Sequence, residues 1–121
     1  MRAIQQYSNL TIMADCVFCK IRDRIIPKEF TYEDEWVMVF PDINPIKPVH
    51  LLIVPKKHIE DLLMINDKLL MMKLTRIIQK MIRKFELENK GYRVGINGGG
   101  AQIIDHLHFH LFGPMTKGAS M

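Results

Sequence analysis

Three histidines stand at alternate positions in Asp105-His106-Leu107-His108-Phe109-His110-Leu111, each followed by an apolar residue. Strand side chains alternate between the two faces of a sheet, so an extended backbone puts all three imidazoles on one face and Leu107, Phe109 and Leu111 on the other. A helix would splay the histidines around its axis and leave the apolar residues with no common face to bury. The segment is read as a half-buried strand carrying a reaction or metal centre, because the interleaved apolar residues and Asp105 are unlike a histidine-rich tag or surface.

A chain of 121 residues with 48% hydrophobic content can build one domain with a real core, but not two ordinary ones. We expect an arm at residues 1–13, with Met13-Ala14-Asp15 read as the natural start of a single domain at 14–121. The net charge of +4 suits an anionic ligand such as a nucleotide. The basic residues are scattered, without a basic run or RNA-binding signature, so nucleic acid is not expected. Two cysteines, as Cys16-Val17-Phe18-Cys19, are too few for a disulfide framework and fit a reducing cytoplasm. No apolar run has the length of a membrane span or the form of a signal peptide.

In chain order, Asp15 is a candidate cap for a short amphipathic helix over residues 16–22 that ends before Pro27. Residues 30–32 and 36–40 read as a hairpin around Glu33-Asp34-Glu35, and Pro41, Pro45 and Pro48 then forbid regular structure. Residues 49–54, interrupted by His50 and closed by Pro55, look like a buried central strand. A short helix is expected at 59–65. Asp67 then caps a long helix to about Phe85, with Leu70, Leu74, Ile77, Ile78, Met81, Ile82 and Phe85 on one stripe. Its Lys73, Arg76, Lys80, Arg83 and Lys84 read as a solvated face. Gly91 is expected to end this helix, before a strand at 92–96. The turn Asn97-Gly98-Gly99-Gly100-Ala101-Gln102 follows, and its glycines would let backbone amides approach a phosphate.

Thiolates two residues apart on a turn reach adjacent corners of a tetrahedron, so Cys16 and Cys19 suit zinc if two histidines complete the site. Two reduced structural thiols are the bland alternative. A redox pair is a third option, disfavoured by the absence of a matching β-α-β pattern. His106, His108 and His110 as ligands of a catalytic metal would need a supporting carboxylate or histidine cluster, which only Asp105 offers.

Four motifs in order now carry a resemblance: Asp15-Cys16-Val17-Phe18-Cys19-Lys20-Ile21, Phe40-Pro41-Asp42-Ile43-Asn44-Pro45, His50-Leu51-Leu52-Ile53-Val54-Pro55-Lys56-Lys57-His58-Ile59, and the histidine strand. Over about residues 14–113 the chain resembles the histidine triad (HIT) hydrolases, specifically the Hint-type nucleoside phosphoramidases. The resemblance implies an α+β fold: a five-stranded antiparallel sheet with one long and one or two short helices, pairing into a homodimer. It implies that His108 attacks the phosphorus of a purine nucleoside monophosphate conjugate, with His106 and His110 completing the triad and a glycine-loop carbonyl holding the other His108 nitrogen. Asn97, His110 and Gln102 would contact the phosphate side and Asp42 the ribose. Val17, Phe18, Ile21, Phe40, Ile43 and Leu52 would clamp the base. A structural zinc would be held by Cys16, Cys19, His50 and His106, and His58 is left without a role. Ile103 departs from the family's serine or threonine after the glutamine, which keeps a zinc-containing nucleotide-binding or adaptor protein with weak or no catalysis as the alternative.

Overall fold

The computed structural model describes residues 15–118, so the expected arm at residues 1–13 lies outside the described residues. Helix α1 is Val17–Arg22 and helix α2 is Lys68–Lys84. The strands are β1 (Tyr32–Glu33), β2 (Val37–Pro41), β3 (Val49–Pro55), β4 (Arg93–Ile96) and β5 (Phe109–Gly113). They form one antiparallel sheet in the order β1-β2-β3-β5-β4. The fold is therefore α+β, with the run after His50 as its central strand.

Over β2 and β3 both faces of the sheet are covered, which explains why these strands read as continuous apolar runs. Val37, Val39, Leu51, Ile53, Leu107 and Leu111 pack with Leu70, Leu74, Ile77 and Met81 of α2 in one core. On the opposite face Met38, Phe40, Leu52 and Val54 pack with Phe18, Cys19 and Ile21 of α1. The alternation of the histidine segment thus holds: its leucines join the α2 core while its imidazoles face the α1 side.

Several boundaries differ from expectation for identifiable reasons. β5 begins only at Phe109, because Leu107 N–H donates to the Ile59 carbonyl (2.6 Å) and His106 N–H to Ile104 (2.8 Å) instead of joining the ladder. The region expected as a helix at 59–65 is a single 3-10 turn, Leu62–Met64, started by Asp61, whose carboxylate accepts from Leu63 N–H at 2.9 Å. Asp67 does cap α2, accepting from Leu69 and Leu70 N–H. That helix ends at Lys84 with Phe85 as its cap, so Gly91 does not terminate it; Gly91 lies in the following loop at φ +81°. The hairpin turn between β1 and β2 is held by Asp34, which accepts from Trp36 and Val37 N–H.

Candidate active site and metal centre

Four donor atoms converge where α1 meets the segment before β5. His106 Nδ1 lies 3.3 Å from Cys16 Sγ, 3.6 Å from Cys19 Sγ and 3.1 Å from His58 Nδ1, and His58 Nδ1 is 3.2 Å from Cys19 Sγ. The His106 tautomer follows from its other nitrogen: Nε2 sits 2.7 Å from the Pro55 carbonyl, an acceptor only, so Nε2 carries the proton and Nδ1 presents a lone pair to the cluster. His58 Nε2 is buried without a hydrogen-bond partner, with a Glu60 carboxylate oxygen 3.7 Å away. Cys16 and Cys19 also interact: a hydrogen bond from the Cys19 thiol pulls Cys16 well below the ordinary thiol range, and holding that proton pushes Cys19 up. Two thiols and two imidazoles in one buried cluster fit a four-coordinate metal ion.

A second group lies on the same sheet face. Ile46 N–H donates to His50 Nδ1 (3.2 Å), so a neutral His50 carries its proton on Nε2, 3.0 Å from His110 Nδ1 and 3.4 Å from Asp42 Oδ2. His110 Nδ1 then accepts, and its Nε2 is left as a donor. Burial, together with the neighbouring His108 and His50, holds the His110 pKa below the ordinary histidine value, which favours this neutral donor form. Asp42, His50 and His110 are close enough to bracket an ion. A metal there would need His50 to bind through Nε2 while Nδ1 accepts the Ile46 amide, an imidazolate, so the group is read as a hydrogen-bond relay.

Between the two clusters stands His108. Its Nδ1 donates to the His106 carbonyl at 2.8 Å, which leaves Nε2 with a free lone pair. Phe18 lies edge-on to the His106 and His108 rings, with centroids 5.6 Å and 5.1 Å away, and the His110 ring is 5.1 Å from that of His108. The triad histidines therefore do not converge on one catalytic metal: one faces the thiols, one is free and one is oriented by His50.

The sequence pattern of the family described as scavenger mRNA decapping enzyme C-term binding matches residues 15–121. An uncharacterized HIT-like protein of Chlamydia trachomatis is 46% identical over 101 residues, covering 80% of this chain and 90% of that protein. The chain belongs to the HIT family. Among solved HIT structures, a HIT family hydrolase from Clostridium thermocellum is 40% identical with a TM-score of 0.81, over 88% of this chain and 96% of that one. A histidine triad nucleotide-binding protein from Candida albicans is 33% identical with a TM-score of 0.74, over 80% and 73% respectively.

Within this HIT chain, the expected metal ligand His50 is a correction. Cys16, Cys19 and His106 do assemble, but the fourth donor is His58, while His50 faces Asp42 and His110. The partner of His108 Nδ1 is likewise the His106 carbonyl and not a carbonyl of the glycine loop. That loop is engaged elsewhere: Asp61 accepts from Gly99 N–H (2.6 Å), while Gln102 accepts from Gly100 N–H (2.9 Å) and donates to the Glu60 carbonyl (3.0 Å). Asn97 is exposed just after β4, whose Ile96 pairs with Phe109. Of the expected base clamp, Phe18, Ile21, Phe40 and Leu52 are buried in the α1-side core, Val17 is half-buried, and Ile43 is 82% exposed in the loop after β2. If His50 positions His110, His50→Gln should leave any bound metal unchanged and lower whatever turnover depends on the His110 donor by about 10-fold to 100-fold, less than deleting such a donor outright. Metal analysis beside steady-state kinetics checks it, and metal loss in that variant would return His50 to the ligand set.

Proposed function

We propose that this chain hydrolyses the P–N bond, or a related bond, of purine nucleoside monophosphate conjugates through a nucleotidyl-histidine intermediate. The observation that carries the reading is the hydrogen bond from His108 Nδ1 to the His106 carbonyl, which selects the tautomer of the neutral ring whose Nε2 lone pair is the nucleophile. In the first step Nε2 bonds to phosphorus and the P–N bond breaks. The amine leaves with a proton from solvent, since Ile103, 97% exposed, offers no hydroxyl. In the second step water attacks phosphorus, the P–N bond to His108 breaks, and the nucleoside monophosphate departs. His110, with its Nε2 proton, is the donor for the phosphate oxygens where charge develops, and Asn97, exposed just after β4, completes that side. Gln102 would join it only by giving up its bonds to Gly100 and Glu60. Asp42 accepts from the ribose hydroxyls, using the carboxylate capacity that its contacts with Asn44 and His50 leave over.

The Cys16, Cys19, His58 and His106 donors suit zinc, which when bound would cross-link α1 to the segment before β5 and leave no open position for water. No step runs through it. In the same reading two chains pair through a sheet edge and the long helix into a homodimer, and the setting is the cytoplasm; among the described residues no helix is long and apolar enough to cross a membrane.

The test is release of AMP from adenosine phosphoramidate by the purified protein, followed by base-quenched mass analysis for a nucleotidyl adduct on the peptide containing His108. Turnover without that adduct would overturn the intermediate. Tight AMP binding without turnover of any conjugate would favour a nucleotide-binding protein instead, a reading supported by Ile103 and by the engaged amides of Gly99 and Gly100.

A further inference from the structure

His106 belongs to both halves of the site. Its ring faces Cys16 and Cys19 Sγ at 3.3 Å and 3.6 Å, and its backbone carbonyl accepts the Nδ1 proton of His108. Phe18, between the two cysteines in the chain, packs against the rings of both histidines. A chemical change at the thiols therefore acts on the groups that orient His108. The thiols are free and their sulfurs lie within 4.8 Å of each other. Cys16, although buried, borders an open cavity of about 370 Å³ together with His58, Glu60 and Ile103, the side from which a small oxidant would approach.

We propose that Cys16 and Cys19 form an oxidisable thiol pair, converted by hydroperoxides to a disulfide that expels the metal and disengages His108. The proposal rests on the hydrolase reading only in calling His108 the nucleophile. In the first step the Cys16 sulfur attacks the outer peroxide oxygen, the O–O bond breaks, and a sulfenic acid and an alcohol result. In the second, the Cys19 sulfur attacks the Cys16 sulfur, the S–O bond breaks, the S–S bond forms, and hydroxide leaves as water. The sulfurs lose two electrons, the peroxide gains them, and protons come from the thiols or solvent. A disulfide offers neither thiolate to a metal, so His58 and His106 alone remain as donors and any bound ion leaves. His106 then loses the thiol side of its anchorage and keeps only its Nε2 bond to the Pro55 carbonyl and the Phe18 contact, so the ring can pivot about Nε2 and its backbone carbonyl no longer holds His108 in one tautomer.

The experiment treats the zinc-loaded full chain with hydrogen peroxide and follows four signals. These are intact mass, zinc captured by a chelating dye, the ring-nitrogen NMR signals of His108, and turnover of adenosine phosphoramidate. Expected are loss of two hydrogens, zinc release in step with it, a His108 ring that becomes a tautomer mixture, and a fall in turnover of about 10-fold or more. Dithiothreitol with added zinc should restore all four. A disulfide that leaves the His108 signals unchanged would overturn the proposal, as would oxygen added at the methionines with no disulfide formed. Absence of turnover in the untreated chain would count against the hydrolase reading, while mass and ring-nitrogen signals would still decide this one.

Discussion

His108→Ala is expected to lower turnover of adenosine phosphoramidate by about 10⁴-fold or more, because it deletes the atom that forms the covalent bond. AMP affinity should stay within about 10-fold, since the proposed ribose and phosphate contacts come from Asp42, His110 and Asn97, and a nucleophile acts mainly in the transition state. His108 is buried against Phe18 and donates to the carbonyl of His106, so truncation also leaves a small cavity. That cost falls on stability and is separated by measuring Tm beside kcat and KM. Comparable turnover by His108→Ala and the wild type would remove the nucleotidyl-histidine mechanism. Loss of AMP binding alongside turnover would instead give His108 a role in holding the ligand.

Much of this arrangement was legible because it rests on the period of two. Leu107 and Leu111 enter the α2 core and the histidines face α1, although the ladder itself begins only at Phe109. A continuous apolar run marked residues 49–54 as a buried central strand, which the structure has at Val49–Pro55. Periodicity also found α2, where the expected stripe contains its buried residues Leu70, Leu74, Ile77, Met81 and Ile82. Roles that depend on register between distant strands were harder. β3 runs antiparallel to β5, with His50 opposite Phe112 and Ile53 opposite Phe109. The chain leading back from Phe109 to His106 therefore travels toward Pro55 and away from His50. Five residues of strand separate His50 from Pro55 by roughly 17 Å. Had the two strands been paired antiparallel in the sequence, the histidine just past Pro55 would have emerged as the fourth donor.

The glycine loop shows a different kind of limit. Three glycines in a row allow an anion cradle, and composition alone suggests the anion comes from outside. Here the chain supplies its own: the Asp61 carboxylate takes Gly99 N–H, and that contact together with the Leu63 N–H holds its pKa below the usual carboxylate range. A carboxylate 38 residues away in sequence leaves no local pattern by which to foresee it.

The choice of His58 over His50 leads to the second large effect. His58→Gln is expected to lose bound zinc and to lower Tm by about 12 to 16 °C. A metal held at about 10² to 10³ times its dissociation constant stabilises by about 3 to 4 kcal/mol, and each kcal/mol shifts a domain of this size by about 4 °C. Chelation of the wild-type protein should reproduce the same fall, because it removes the same cross-link between α1 and the segment before β5. His50→Gln, by contrast, should retain zinc, since His50 bonds to Ile46 and His110 and stands outside the thiol cluster. Metal content by emission spectroscopy and Tm by calorimetry, measured on all three samples, decide the matter. Zinc retained in His58→Gln but lost from His50→Gln would reinstate His50 as the ligand. A Tm insensitive to chelation would make the cysteines and imidazoles a packed, metal-independent cluster, whose stability comes from the α1-side core around Phe18, Met38 and Phe40.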